Sequence, residues 1–249
     1  MTAKLPVTQI DIAHKLVIAA GIFKIVKLTS ISSMSPSKLR LMYLWDFEFQ
    51  FSDLLDFMEF SERNLEWQRR SHVQSLERKA KLKKYEADEY HSELDNIEYR
   101  FNMSLARNIR YSAVITFATS IEWIAKFMKK QSTSELAPTP NGSNESIHIL
   151  RSFFELAGCN REHNLETLAK VIKIRNCITH AMGSVQDYKH GDEIAEIIQT
   201  LKGFRISDSH FIERVIDIDQ GAIEAIIRET RGWIVDFIDE CKQKNLIHM

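Results

Sequence analysis

The sequence predicts an all-α fold, and three observations carry that expectation. Between Ser37 and Ala137 there is neither glycine nor proline, and β-branched residues are sparse, so long helix is the default there. In the second half, apolar runs of helical period stop at Gly158 and Gly183, the residue type that ends helices. Strand-like content is confined to 206–218, which allows at most a short β-hairpin.

Taken in order, the apolar stretch from Ile10 to Leu28 is interrupted by Asp11, His14, Lys15, Lys24 and Lys27. Its uncharged core, Leu16 to Phe23, is far short of the ~20 residues a membrane span requires. It reads as an amphipathic or buried helix; no small-residue cleavage site marks a signal peptide. Asp46 to Phe60 is apolar and aromatic, and Trp45, Phe47, Phe49, Phe51, Phe57 and Phe60 are expected in a core or an interface. Arg63 to Phe101 is highly charged, with Ala87, Tyr90, Leu94, Ile97 and Phe101 as a short heptad stripe. A basic block (Arg69, Arg70, Arg78, Lys79, Lys81, Lys83, Lys84) precedes an acidic one (Glu86, Asp88, Glu89, Glu93, Asp95, Glu98). Such blocks read first as a solvated helix face, then as antiparallel pairing of two such helices, then as RNA steering.

Ser112 to Ile121 is weakly polar and suits a buried helix, continuing to a cationic end at Lys129 and Lys130. Ser132 to Ser146, with Pro138, Pro140 and Gly142, is a loop. Helices are expected from Ile147 to about Leu156, from Leu165 to Met182 with Asn164 as N-cap, and from Asp192 to Leu201. The last runs from about Gln220 to Lys242, with Ile223, Ile226, Ile227, Trp233, Ile234, Phe237 and Ile238 on its apolar side. The expected division is a helical N-terminal region, 1–104, and a compact helical bundle, 105–249.

Composition narrows the function classes. A net charge of -1 provides no global field toward nucleic acid, so any RNA contact must come from a local patch. Three cysteines in no paired or metal-binding spacing favour a reducing, cytoplasmic compartment. The histidines form no ligand spacing and there is no glycine-rich phosphate loop, so neither metal nor cofactor is expected.

The segment with chemical content is Arg175-Asn176-Cys177-Ile178-Thr179-His180, just before Ala181-Met182-Gly183. Arginine is a permanent cation able to grip phosphate in a fork, and histidine exchanges a proton near neutral pH. Together they supply what metal-free RNA cleavage needs: proton transfer from the attacking 2'-hydroxyl and to the leaving 5'-oxygen, and charge stabilisation at phosphorus. On an ideal helix, however, side chains five residues apart point about 140° from each other. Lys173, Asn176 and His180 share a face instead.

With its Arg-Asn doublet, terminal Ala-Met-Gly and all-helical setting, this segment resembles the signature of the HEPN superfamily, over roughly Arg107 to Lys242. The resemblance implies a HEPN-like bundle and a metal-independent endoribonuclease. In such enzymes two protomers face each other, so that both Arg-His pairs line one cleft, which meets the angular difficulty. It assigns catalysis to Arg175 and His180. Asn176 is expected to orient the histidine or the phosphate, and Lys173, on the face of His180, to contact RNA. Glu122 occupies the early bundle helix where many members carry an acidic residue, although its spacing to Lys126 also suits a surface pair. RNA as substrate, a homodimer, a role as toxin or antiviral effector, and an antitoxin or regulatory partner are implied in the same way. The tyrosine that antitoxins of one class modify is replaced by Met182. The alternative is a catalytically silent HEPN-like module that binds a protein or a nucleotide.

Overall fold

The stretch without breakers begins with one long helix, α1 (Pro36–Lys83). The computed structural model describes residues 36–248 apart from 84, 137, 141–143 and 209–213. Residues 46–248 form one compact unit. The apolar stretch 10–28 and the side chains of Trp45 and Phe47 lie outside the described residues.

Helix α1 buries Phe51, Leu54, Leu55, Met58 and Leu76, a stripe at helical spacing. Phe51 packs at 5.8 Å on Phe117 of α3 (Ala106–Gln131). The aromatic run is therefore divided: Phe51 is core, whereas Phe49, Phe57 and Phe60 are exposed. Glu62, on the buried stripe, is only 8% exposed. Arg110 satisfies it, donating from Nε at 2.7 Å and from Nη2 at 3.2 Å, and donates from Nη1 to the Ile218 carbonyl. One guanidinium thus ties α1, α3 and the hairpin, which is how a buried carboxylate becomes tolerable.

After Lys83 the chain turns without glycine or proline. Arg78 and Lys81 set like charges about one turn apart near the end of α1, and the acidic helix α2 (Ala87–Glu98) gains partners by folding back. Arg69 donates to Glu98 at 2.6 Å, and His72 lies against Phe101 with ring centres 5.1 Å apart. The heptad stripe faces this contact, with Tyr90, Leu94 and Ile97 half-buried and Phe101 buried, while Ala87 is exposed. Of the two blocks, Arg69 and Glu98 meet within the chain, while Arg78, Lys79 and Lys81 stay exposed. A π-helical segment, Tyr99–Leu105, leads into α3.

Helix α3 is the central element, its buried Ala113, Val114, Phe117, Ala118, Ile121, Ile124, Ala125 and Met128 facing neighbours on several sides. Around it pack α4 (Glu145–Ala157), α5 (Glu162–Ala181) and α7 (Ala222–Gln243). Asn144 caps α4 by accepting from the Ile147 N–H at 3.1 Å, and Gly158 ends it at φ +68°. Helix α5 begins earlier than expected. Its N-cap is Arg161, not Asn164, because Glu162 is held in the first turn by Arg151 (2.6 Å), where the helix dipole favours an acid. Phe154 of α4 meets Phe237 of α7 edge-on, with centres 4.1 Å apart. Helix α6 (Gly191–Thr200) and the antiparallel pair β1 (Phe204–Ser207) and β2 (Val215–Ile218) complete the unit. The fold is mostly helical, with one short hairpin.

The end of α5 is fixed by a close approach. Gly183 (φ +81°) lies against the Tyr111 ring, so that a Cβ there would sit 2.7 Å from Tyr111 Cζ. Tyr111 Oη donates to the Ile216 carbonyl, and the Ile216 N–H donates to the Gly183 carbonyl at 2.9 Å. Gly183→Ala combines a left-handed backbone with overpacking and should cost about 2–4 kcal/mol, read as a fall of roughly 4–16 °C in Tm. Gly232→Ala, in open space within α7, should instead stabilise by up to ~1 kcal/mol in the same melt. Equal melting of wild type and Gly183→Ala would contradict this packing.

Candidate functional site

Helix α5 turns its buried face (Leu165, Leu168, Val171, Ile172, Ile174, Cys177, Ile178) toward the core. The 100° step per residue then fixes where each motif side chain goes. Arg175 projects inward beside this face and is half-buried, whereas Lys173 and His180 are exposed and Asn176 is half-exposed on the outer side. Arg175 and His180 leave the helix in different directions.

The inward residue finds Glu122 on α3. Arg175 Nη2 donates to Glu122 Oε1, and the side chains are 19% and 26% exposed. Glu122 thus pairs across helices with Arg175 and not along its own helix with Lys126. The Arg175 Nε is buried with no partner among the described residues, so the guanidinium keeps donor capacity beyond the ion pair. On the outer face, Lys173 Nζ donates to Glu193 of α6 at 2.5 Å, in a pair about half exposed on both sides. Such a pair contributes only ~0–1 kcal/mol, so phosphate can displace the carboxylate. His180 stands in the last turn of α5 with no hydrogen bond or ion pair among the described residues.

The turn after α5 is built to hold the end of that helix. Met182, the C-cap, adopts φ +52° and is 74% exposed. Cys177 Sγ donates weakly to the Ser184 carbonyl at 3.6 Å, the Ser184 Oγ donates to Asp187 at 2.7 Å, and the Val185 N–H donates to the Arg214 carbonyl at 2.9 Å. Burial keeps the Tyr111 hydroxyl far above its ordinary range, and so a donor. Burial likewise pushes the Cys177 thiol up to about 11, which makes it a packing residue and not a nucleophile.

Two features were not legible in the sequence. Arg107, one turn before Tyr111 on the same face of α3, has Nε and Nη2 buried without partners. Its signal was only an arginine at helical spacing from Tyr111 and Glu122. A groove of about 970 Å³ lies elsewhere, lined by residues including Leu55, Glu62 and Trp67 of α1 and Gly221, Glu224 and Arg228 at the start of α7. No motif residue lines it. Among the described residues no three His, Cys, Asp or Glu side chains gather as a metal set, and no helix is long and apolar enough to cross a membrane.

The Glu122–Arg175 pair should appear in a double-mutant cycle. Glu122→Ala and Arg175→Ala are each expected to cost about 1–3 kcal/mol, with a coupling energy of about 1–2 kcal/mol between them. Denaturant midpoints measure it, and strictly additive losses would show that the two side chains do not interact. The thiols set a pH limit. Cys177 and Cys241 (pushed up to about 12, chiefly by burial) keep protons that the unfolded chain releases near its ordinary thiol value of 9.0. Their contribution is therefore complete below about pH 9 and declines as pH rises toward about 11–12, a slope that Cys177→Ala should lessen in urea titrations.

Comparison with family models, with curated proteins and with solved structures finds no match to this chain.

Proposed function

We propose that the chain is a metal-independent endoribonuclease working as a homodimer, with Arg175 and His180 of both protomers lining one cleft. The observation that supports this best is the placement of His180. It is exposed at the end of α5, has no partner among the described residues of its own chain, and shares its face with Asn176 and Lys173. A titratable group left open beside a cation and an amide is suited to proton transfer at a bound polyanion. Arg175 points elsewhere, so a second protomer is needed to complete the constellation, as in the HEPN arrangement the motif resembles.

In this reading a neutral His180 takes the proton from a 2'-hydroxyl as its oxygen bonds to phosphorus. The bond from phosphorus to the 5'-oxygen breaks, and the protonated His180 of the second protomer gives that oxygen its proton. Arg175, oriented by Glu122, offers its remaining N–H groups to the phosphate as negative charge grows there. Asn176 orients the histidine or the phosphate, and Lys173 exchanges Glu193 for the RNA backbone. A role as toxin or antiviral effector, held in check by a regulatory protein, belongs to the same proposal. A second reading is favoured by the Arg175–Glu122 ion pair itself: a guanidinium held by a carboxylate between two helices also suits a catalytically silent module that binds a protein or a nucleotide.

Cleavage of RNA in excess chelator separates the two. The expected products carry 2',3'-cyclic phosphates, and a 2'-deoxy substitution at the cut should block the reaction. His180→Ala should lower the rate at least ~100-fold, or about 2.7 kcal/mol, with unchanged melting. Arg175→Lys, which keeps the charge but loses the fork, should fall by a similar factor. Full activity in well-folded His180→Ala removes the site, and no cleavage of any RNA by wild type leaves the binding module.

A further inference from the structure

Helix α1 carries a face that its own unit does not cover. Opposite the buried stripe, Phe57, Phe60 and Trp67 are 46%, 68% and 67% exposed. Phe60 and Trp67, seven residues apart, stack on one line of the helix, and Phe57 lies beside them. Large aromatics exposed in a row are costly in water and mark contact surfaces. Charge around them is ordered. From Asp46 to Glu62 there is no lysine or arginine, and the exposed charges on and beside this face are Asp53, Asp56 and Glu59. Beyond Phe60 the exposed charges on and beside the face are mainly basic, Arg63, Arg70, Arg78 and Lys81, with Glu77 opposing them.

This face is its own complement under a twofold rotation. We propose that it is an interface between two copies of this chain, with the two α1 helices crossing antiparallel. Phe60 of each copy packs against Trp67 of the other. That register sets Asp53 and Asp56 of one copy within reach of Arg70 and Arg78 of the second, and the contact is isologous. A parallel arrangement would put acid on acid and base on base, which the charge order rejects. From Phe49 to Arg78 the face is about 44 Å long and ~10 Å wide, roughly half of the ~800 Å² per partner of a standard interface. Association in the micromolar range is expected. The ion pairs Arg63–Glu59 and Arg70–Glu66 are exposed and can exchange partners on assembly. This interface uses α1 alone: a monomeric wild type would count against both it and the homodimeric cleft, whereas the α1 double variant separates them, since it should lose this contact and keep RNA cleavage.

Sedimentation of the full chain across micromolar concentrations tests it. Wild type should associate, and Phe60→Asp with Trp67→Asp should halve the assembly mass, from dimer to monomer or from tetramer to dimer, without lowering the melting temperature. Asp56→Arg should weaken association at least ~10-fold at low salt, and adding Arg70→Asp in the same chain should restore it. Asn64→Cys, next to the proposed twofold, should cross-link between copies with a short bis-maleimide. The native Cys177 and Cys241 are buried and Cys159 supplies the background to subtract. A wild type that stays monomeric throughout this range overturns the proposal. So does an assembly mass unchanged in the folded Phe60→Asp, Trp67→Asp double variant.

Discussion

The arrangement around α5 depends on the closeness of the Tyr111 phenol to the backbone of Gly183. A residue with no Cβ is required there twice over, by the positive φ and by the ring against it. The same phenol bonds the Ile216 carbonyl, and the Ile216 N–H returns a bond to Gly183. Three elements distant in sequence are thereby locked together: α3, the end of α5, and β2. Since the last turn of α5 carries His180, the direction in which that imidazole meets solvent follows from this contact. Burial supports it further by keeping the phenol protonated and donating.

The second organising device is electrostatic. Arg110 bridges Glu62 and the Ile218 carbonyl in a nearly dry setting, and Arg175 meets Glu122 in a half-buried one. Each pair spans two helices, so each sets the rotation of one helix against its neighbour at the cost of desolvating two ions. For Arg175 the pair bears on the proposed reaction. An arginine anchored on one side and retaining an unpartnered Nε is preorganised, with less side-chain entropy to lose on meeting an anion. The His180 side chain has no anchor among the described residues, and this openness is what the proposed proton transfer uses. The opposed placement of Arg175 and His180 within one helix arises from the angle between positions five residues apart.

Much of the fold was legible in the amino-acid order. The absence of glycine and proline from 37 to 137, the helix stop at Gly158, and the apolar side of α7 each act through local backbone preference or period, and the structure follows them. Legibility failed where partners are distant. Asn164 has the chemistry of an N-cap, but Arg151 holds Glu162 in the first turn and the helix starts earlier. Six aromatics between Trp45 and Phe60 looked alike; of those whose side chains are described, only Phe51 faces the core. No glycine or proline ends α1 after Lys83; like charges such as Arg78 and Lys81 weaken its last turns, and the acidic α2 returns to Arg69.

The sequence by itself determined that the chain is helical, roughly where the helices of its second half lie, and that Arg175 and His180 cannot share a face on a regular helix. Those are properties of backbone sterics and of a fixed period, which need only neighbours along the chain. Tertiary structure decided that Glu122 serves Arg175 and not Lys126, and that Arg107 keeps buried donors. It also decided that, among the described residues, the outer face of α1 is left uncovered. Each of these depends on which helix packs against which and at what rotation. That is settled by summed burial and ion pairing over residues far apart, which no local window contains.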